Sequence, residues 1–320
     1  MSISPNRPGG EQQDQQVSQF LERLVTYGPQ LAASWPEHPH IKPVDLGLVS
    51  IGDALGLPDK MDLLNRQWLQ SQLVDFVRVL KVHGCIGSTN LVLAELARST
   101  NIDNHLHLAE FQYQGKGRRG RVWQSPYGRN IAMSYGFQSS RSLDDIGGLS
   151  LVVGLVVAQV VEDLSVAGVQ LKWPNDIWVN DKKLAGVLIE LVPTNDRVNV
   201  VIGIGLNVSL TSATLQLIDQ PTIDLINLGV RAQRNALVVA LVTSLRRNLE
   251  HFERNGFAEF QAAFDAMHRL HNQPCEVYQG DAVIHGVVRG VGPLGQLYLE
   301  RGRELLEIVG GEVSVRPQKK

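Results

Sequence analysis

Between residues 115 and 121 the chain reads Gly115-Lys-Gly-Arg-Arg-Gly-Arg121, which places four cations and three glycines in seven consecutive positions. Glycine lets the backbone adopt positive φ angles and approach a ligand closely. Lysine and arginine supply charged hydrogen-bond donors for carboxylate or phosphate oxygens. Because like charges repel, we expect an anionic ligand to order this loop. A solvated basic turn, or a patch for nucleic acid, is the alternative interpretation of the loop alone.

A second polar motif, Lys172-Trp-Pro-Asn-Asp176, follows about 50 residues later. Proline fixes its own φ angle and keeps the preceding tryptophan out of the helical region. Asn175 and Asp176 therefore leave the turn in defined directions. A carboxylate beside a phosphate site is a typical Mg²⁺ ligand, which makes Asp176 the metal candidate. Without its context, the Asn-Asp pair is better explained as a polar turn after a strand.

A third motif, Asp181-Lys-Lys-Leu-Ala-Gly186, places two lysines at the start of an apolar strand. A lysine that points into the core from such a position is desolvated. Its ammonium group then neutralises negative charge that develops on a phosphate or carboxylate. Two solvated lysines in a turn are the alternative.

Two further motifs combine glycine with small polar residues. Gly87-Ser-Thr-Asn90 stands at the start of a helical pattern, where serine and threonine either cap the helix or line a polar pocket. Gly203-Ile-Gly-Leu-Asn207 lies inside a strand pattern, where glycine indicates close approach of another group or a packing requirement.

Three regions differ in their patterns of apolar residues. Residues 1–62 begin with a polar tail and contain helical spacing at residues 17–25. Residues 63–270 combine helix and strand patterns, and residues 271–320 contain about five short strands, typical of a small barrel. The sequence thus predicts an α+β fold with a mixed sheet and flanking helices. The clearest predicted helices are residues 90–97, 150–164 and 235–256, and Asn235 is expected to cap the last of these helices. The clearest predicted strands are residues 130–137, 186–192 and 198–208.

Composition limits the classes of function. The formal net charge of −2 provides no overall attraction to nucleic acid or anionic membranes, so any basic site must be local. Cys85 and Cys275 lie outside any metal or redox motif, and we expect buried free thiols in a reducing, cytoplasmic compartment. The most apolar stretch, residues 149–164, is shorter than the about 20 residues that span a bilayer, so it predicts a buried helix.

Taken in order, these motifs resemble those of the biotin–protein ligase (biotin–[acetyl-CoA-carboxylase] ligase) family over residues 63–318. The resemblance implies a class II synthetase-like catalytic domain, an SH3-like C-terminal barrel and a degenerate winged helix in residues 1–62. It also implies an ATP-dependent ligase that requires Mg²⁺. In that family the biotin carboxylate attacks the α-phosphate of ATP to give biotinyl-5′-AMP. A lysine of a biotin carboxyl carrier domain then attacks the mixed anhydride and releases AMP.

The resemblance assigns roles by position. Lys183 and Arg118 are expected to be catalytic, and Asp176 is expected to bind the metal. The biotin site is expected to comprise Ser88, Thr89, Asn90, Gln112, Gly115, Lys116, Gly117, Arg118 and Lys183. The ATP and adenylate site is expected to comprise Arg118, Arg119, Arg121, Trp123, Lys172, Asn175, Asp176 and Asn207.

Three features depart from the usual pattern of that family. Gly87 replaces an acidic residue, Lys116 replaces the commoner arginine, and the flap expected from residues 211–230 contains no aromatic residue. Three apolar side chains are expected to cover the adenine instead: Leu215, Leu217 and Ile218. These departures concern affinity for the adenylate rather than the type of reaction.

Two other functions stay open at this point. A lipoate or octanoate protein ligase shares the fold, although the arginine-rich loop and Lys172-Trp-Pro-Asn-Asp176 speak against it. A biotin-sensing DNA-binding repressor needs a cationic N-terminal domain, yet residues 1–60 contain four cations and seven acids, a net charge of −3. We therefore expect no operator binding and no membrane association, while the resemblance leaves a homodimer open.

Overall fold

The computed structural model describes residues 8–57, 61–194, 197–280, 282–310 and 313–318. Seven α-helices lie within these residues: α1 (Pro8–Tyr27), α2 (Arg66–Gln72), α3 (Thr89–Ala97), α4 (Leu149–Glu162), α5 (Ser212–Gln216), α6 (Arg234–Asn255) and α7 (Gln261–Met267). The same residues contain fifteen strands: β1 (Gln30–Leu31), β2 (Val49–Ile51), β3 (Ala54–Gly56), β4 (Val79–His83), β5 (His105–Ala109), β6 (Asn130–Ser139), β7 (Val169–Lys172), β8 (Asp176–Val179), β9 (Lys182–Pro193), β10 (Val198–Asn207), β11 (Pro274–Gln279), β12 (Ala282–Val291), β13 (Leu297–Arg301), β14 (Glu304–Ile308) and β15 (Val313–Pro317).

A seven-stranded mixed sheet forms the scaffold of the middle region, in the order β4-β5-β6-β10-β9-β8-β7. Strands β4 and β5 run parallel, and the other neighbouring strands run antiparallel. Side chains alternate between its two faces. Val200 and Ile202 pack in the core that contains α4 and α6, whereas Val201 packs against α3. The strands predicted at residues 130–137, 186–192 and 198–208 are confirmed.

Helix α4 is the most deeply buried helix of the described residues. Ten of its fourteen residues are buried, and most of these are valine or leucine that pack against the sheet and α6. It confirms the buried helix that the apolar stretch at residues 149–164 predicts. None of the described helices combines the length and apolar character needed to cross a membrane.

Helix α6 ends at Gly256 as predicted, but Asn235 does not cap its start. The capping position is Gln233, whose side chain makes no capping hydrogen bond. The Asn235 side chain instead accepts a hydrogen bond from the Asn65 backbone (2.7 Å) and donates one to the Leu63 carbonyl (2.9 Å). The prediction of a cap was wrong because a tertiary contact occupies this amide.

The C-terminal strands form an antiparallel sheet in the order β14-β13-β12-β11-β15, with β14 and β15 as its edges in the described residues. All five lie where the sequence predicts them. The sheet has no separate core, because Val277, Val288 and Leu299 belong to the cluster that contains α4 and α6. The Trp173 indole N–H also donates to the Gly295 carbonyl (2.9 Å), which ties this sheet to the middle region.

The N-terminal region packs directly on the middle region. Helix α1 buries the residues that its spacing predicts, Val17, Phe20, Leu21 and Leu24. Their cluster includes Cys85, Phe111 and Tyr127. The described residues 8–57 also contain the small sheet β1-β3-β2. Cys85 and Cys275 are buried free thiols, as predicted.

A buried ion pair joins α6 to the segment after β5, and its loss is expected to destabilise the fold. Arg234 Nη1 lies 2.7 Å from Glu110 Oε2, with 3% and 6% of the two side chains exposed. In Glu110→Ala, the buried guanidinium loses its counter-charge, so we expect the free energy of unfolding to fall by about 3–5 kcal/mol. Urea unfolding measures this change.

The control for that measurement is Glu95→Ala. Glu95 pairs with Arg98 at a similar distance, 2.9 Å, but both side chains are exposed. Its removal is expected to change the free energy of unfolding by about 0–1 kcal/mol. Equal changes in the two variants would contradict the role of burial.

Candidate active site

One large cavity, of about 820 Å³, lies where the central sheet, the Gly115–Arg121 loop and the C-terminal sheet meet. Every predicted site residue except Gly115 and Asn207 lines it. These residues are Ser88, Thr89, Asn90, Gln112, Lys116, Gly117, Arg118, Arg119, Arg121, Trp123, Lys172, Asn175, Asp176 and Lys183. Residues from five separate motifs of the sequence therefore share a single cavity.

The cavity carries a strong excess of positive charge. Seven cationic side chains line it against two carboxylates, those of Asp176 and Asp219. Because the whole chain has a net charge of −2, this excess is local. Such a concentration of cations in a concave site attracts anionic ligands.

Lys183 and Asp176 form an ion pair at one wall of the cavity. The distance from Lys183 Nζ to Asp176 Oδ1 is 2.8 Å, and the side chains are only 13% and 17% exposed. The neighbouring strands β8 and β9 bring the two residues together, since Asp176 pairs with Gly186 across the ladder. A Cβ atom on Gly186 would lie 3.3 Å from Lys183 Nζ, so the glycine leaves room for the ammonium group.

Arg118 reaches the same wall from the tip of a hairpin. Gly117 donates its backbone N–H to the Arg121 carbonyl (2.8 Å), and Lys116 bridges to Val122. Arg119 adopts a positive φ of 58° at the tip, which turns the chain back. Burial lowers the pKa of Arg118, and the nearby Asp176 carboxylate opposes that shift.

Asn175 is the contact between the hairpin and the sheet. Its side-chain oxygen accepts a hydrogen bond from Arg118 Nη1 (3.2 Å). Its amide nitrogen donates to the Val187 carbonyl (2.6 Å), and its backbone carbonyl accepts from the Val187 N–H (2.9 Å). Strand β9 therefore fixes Asn175, which in turn orients Arg118.

Lys172 lies at the other side of Asp176. Its Nζ atom is 4.9 Å from the centre of the Trp178 ring, where the face of the indole attracts a cation. Burial lowers the pKa of Lys172, with Asp176 raising it and Lys183 lowering it further. The carboxylate of Asp176 thus faces several cations at once, and it cannot neutralise them all.

Uncharged polar side chains line the other end of the cavity, and the Glu190 carboxylate holds one of them from outside the lining. Thr89 donates both its N–H (2.8 Å) and its hydroxyl (3.1 Å) to Gln112 Oε1. Asn90 Nδ2 donates to Glu190 Oε2 at 2.8 Å. Ser88 precedes α3 but makes no capping hydrogen bond. The Ser88–Asn90 segment therefore serves the pocket rather than capping the helix.

Two glycines of β10 make room for site residues. A Cβ atom on Gly203 would clash with the Asn90 amide, and one on Gly205 would clash with the Trp123 indole. The close approach of other groups to the backbone of β10 is therefore confirmed, and the groups that approach are the side chains of Asn90 and Trp123.

Gly115 and Asn207 have other contacts. The Gly115 carbonyl accepts a hydrogen bond from the Trp123 N–H (2.8 Å), and a Cβ at Gly115 would clash with the Trp123 carbonyl. The Asn207 amide lies between Asn130 (3.4 Å) and the Ile223 carbonyl (3.2 Å). Asn207 lines a small cavity beside Lys183.

Sequence reasoning missed one residue that supports the lining from behind and several that line the cavity. The Ser134 hydroxyl, in β6, lies 2.5 Å from Asn90 Oδ1 and 2.7 Å from Thr89 Oγ1. The sequence signal that could have identified Ser134 is a serine inside an otherwise apolar strand. Residues 313–316 of β15 also line the cavity and add the cation Arg316. Of the three residues expected to cover adenine, Leu217 and Ile218 line the cavity, whereas Leu215 does not.

Comparison with known proteins agrees with this geometry. Residues 82–207 match the family described as the biotin/lipoate A/B protein ligase family. The bifunctional ligase/repressor BirA of Escherichia coli (strain K12) is 36% identical over 271 residues, which cover 84% of this chain and 83% of the relative. The chain belongs to the biotin protein ligase family. The resemblance that the sequence motifs indicate is confirmed.

A second relative and a solved structure agree with membership of the biotin protein ligase family. The biotin–[acetyl-CoA-carboxylase] ligase of Mycobacterium tuberculosis is 32% identical, over 74% of this chain and 88% of the relative. The structure of the Aquifex aeolicus biotin protein ligase in complex with biotin and ATP is 25% identical, with a TM-score of 0.65. It covers 75% of this chain and 100% of that chain. The α+β fold predicted from the sequence is confirmed.

The packing of Trp123 on Gly205 provides a test of the site geometry. In Gly205→Ala the added methyl group must displace the indole, so we expect the free energy of unfolding to fall by about 1–3 kcal/mol. Urea unfolding measures the change. The control is Gly154→Ala in α4, where the new Cβ would meet Leu171 at an ordinary 3.5 Å. This control is expected to be neutral or to stabilise the helix by about 0.5–1 kcal/mol. A Gly205→Ala variant as stable as the wild type would contradict the packing.

Proposed function

We propose that this chain is a biotin ligase that forms biotinyl-5′-AMP from biotin and ATP and transfers biotin to a lysine of a biotin carboxyl carrier domain. The observation that carries the proposal is the convergence of Lys183, Arg118 and Lys172 around Asp176 in one cavity. A reaction between a carboxylate and a triphosphate brings several negative charges together, and fixed cations offset them. The two buried free thiols support a reducing, cytoplasmic location.

In the first half-reaction, the biotin carboxylate oxygen forms a bond to the α-phosphorus of ATP, and the bond to the pyrophosphate oxygen breaks. Lys183 is placed to contact both the carboxylate and the α-phosphate oxygens. Arg118, held by Asn175, is placed to contact the phosphate oxygens at the same wall of the cavity. The protein thus supplies orientation and charge neutralisation without a covalent intermediate of its own.

Asp176 is the proposed ligand for Mg²⁺. Its Oδ1 atom is engaged by Lys183. A single carboxylate suits Mg²⁺, which binds one or two carboxylates together with phosphate oxygens and water. The metal supplies additional neutralisation of the phosphates when it is bound.

Biotin is proposed to occupy the polar end of the cavity. Its ureido group carries one carbonyl acceptor and two N–H donors. The Ser88–Asn90 segment and Gln112 offer matching hydroxyl and amide groups in a buried position, and Ser134 contacts Thr89 and Asn90 from behind them. The remaining predicted ligands, Lys116 and Gly117, lie in the hairpin that lines the same cavity.

The nucleotide is proposed to lie between Trp123 and the segment 217–221. Leu217 and Ile218 supply apolar surface on one side, and Trp123 supplies it on the other. Arg119 and Arg121 border this space and are placed for phosphate contacts. Asn207 acts from beneath, beside Lys183.

In the second half-reaction, the neutral amine of the carrier lysine attacks the carbonyl carbon of the adenylate. The new C–N bond replaces the bond to the phosphate oxygen, AMP leaves, and the amine loses a proton. The hairpin tip at Arg118–Gly120 lies over the cavity and must admit this amine.

Pyrophosphate exchange tests the first half-reaction. We expect biotin, but not lipoate or octanoate, to support exchange of labelled pyrophosphate into ATP. In Lys183→Ala, exchange is expected to fall by about 100-fold or more, because a preorganised charge is lost. The matched control is Lys182→Ala, the exposed neighbour on β9, which should retain exchange. Normal exchange in Lys183→Ala would remove that residue from its role, and lipoate-dependent exchange would favour the alternative ligase.

We also propose that the N-terminal region does not bind operator DNA. Its net charge of −3 is unfavourable for phosphate contacts, and α1 uses its apolar face to pack on Cys85 and Phe111. We expect no sequence-specific shift of a biotin-operon operator fragment in a gel-mobility assay at low salt. A salt-sensitive, sequence-specific shift would contradict this proposal.

A further inference from the structure

A cluster of potential metal ligands lies outside the active cavity, at the end of α7. It contains Asp265, His268 and His271, which follow one another at three-residue spacing. One potential ligand atom from each residue lies within 4.8 Å of the other two. None of the three residues lines the active cavity. The proposed ligase reaction therefore leaves this cluster without a role.

The two histidines carry buried nitrogen atoms without partners. His268 is 5% exposed, and neither of its ring nitrogens has a hydrogen-bond partner among the described residues. His271 Nδ1 is also buried and unpartnered in the described part of the chain. Leaving such a group unsatisfied destabilises the folded state, and most buried polar groups are bonded. Several unsatisfied nitrogens beside one carboxylate point to a missing ligand.

The surrounding backbone holds Asp265 in place. Its Oδ1 atom accepts a hydrogen bond from the Val291 N–H (3.1 Å). A Cβ atom on Gly290 would lie 2.7 Å from Oδ2, and Gly290 has a φ of 114°. The Asp265 carboxylate therefore lies against the backbone of β12 at Gly290, where there is no room for a side chain. Among the described residues, Asp265 has no cationic side chain in an ion pair.

His268 donates its backbone N–H to the Asp265 carbonyl (3.2 Å), and it has further contacts of its own. Its backbone bridges to Leu171 in β7, and its ring packs on Phe264 at 5.2 Å between ring centres. The cluster thus joins three structures: α7, the central sheet through β7, and the C-terminal sheet through β12.

We propose that Asp265, His268 and His271 bind a divalent transition-metal ion, with Zn²⁺ as the best match. Two imidazole nitrogens and one carboxylate oxygen form a typical ligand set for Zn²⁺, with water in the fourth position. Mg²⁺ prefers oxygen ligands, so the two imidazoles select against it. Asp265 and His271 are partly exposed, which gives the ion a route to the buried His268.

The ion would fasten the C-terminal sheet to the catalytic region. Asp265 contacts β12, and β12 is joined through β11 to β15, whose residues 313–316 line the active cavity. A metal bound at this junction stabilises the folded state, because the unfolded chain does not present the three ligands together. Its role is therefore structural and separate from that of Mg²⁺ at Asp176.

Direct metal binding by the full chain tests the proposal. The protein is treated with a chelator, dialysed and titrated with Zn²⁺, and with Co²⁺ as a visible-absorbing probe. We expect one tightly bound ion per chain and a higher melting temperature with Zn²⁺. In His271→Gln and Asp265→Asn, we expect binding to weaken by about 10-fold or more and the rise in melting temperature to disappear. Both positions are partly exposed, so these variants avoid a cavity at the fully buried His268.

The control variant is His251→Gln, which removes a histidine that pairs with Glu259 at the surface. It should bind Zn²⁺ like the wild type. The proposal is wrong if the wild type binds no Zn²⁺, if both ligand variants bind it unchanged, or if Mg²⁺ displaces it at equal concentration. Pyrophosphate exchange, measured in parallel, keeps the two proposals separate, because failure of exchange with intact Zn²⁺ binding affects only the ligase assignment.

Discussion

The ion pair between Lys183 and Asp176 is the interaction on which the active cavity depends. Without the carboxylate, Lys172, Lys183 and Arg118 would face one another with no counter-charge in a partly buried space. Two like charges 4 Å apart repel by about 4 kcal/mol at an effective dielectric constant of 20. Asp176 reduces that repulsion, yet it leaves an excess of positive charge for an anionic ligand. The same residue therefore stabilises the empty cavity and preserves its affinity for phosphate.

Strand pairing makes this arrangement possible. Asp176 begins β8 and pairs with Gly186 of the adjacent antiparallel strand β9, three positions after Lys183, and the Lys183 side chain spans the distance that remains to the carboxylate. Asn175, bonded to Val187 of β9, transmits that position to Arg118. The charges of Asp176 and Lys183 are therefore held by the central sheet. The charge of Arg118, in the hairpin, is oriented by the Asn175 side-chain amide.

The sequence predicted the parts of the molecule that local patterns control. Apolar runs located β6, β10 and α4, and the charged motifs located all but one of the cationic side chains of the cavity. Contacts between distant segments were not predictable. Asn235 has the chemistry of a helix cap but bonds to Leu63 and Asn65 instead, and no local signal distinguishes the two outcomes. Ser134 reaches Thr89 and Asn90 because of where β6 lies in the sheet, and Arg316 lines the cavity because of where β15 lies. A linear sequence pattern does not encode either position.

The N-terminal region and the C-terminal sheet both contribute to the site, which therefore depends on more than the middle region. Helix α1 packs on Cys85, Phe111 and Tyr127, and the first two stand just before the Ser88–Asn90 segment and Gln112 of the polar end of the cavity. The Ser18 hydroxyl accepts a hydrogen bond from the Cys85 N–H (3.1 Å), just before the Ser88–Asn90 segment. At the opposite end, β15 supplies part of the cavity wall. Each end of the cavity is therefore supported by a different terminal region.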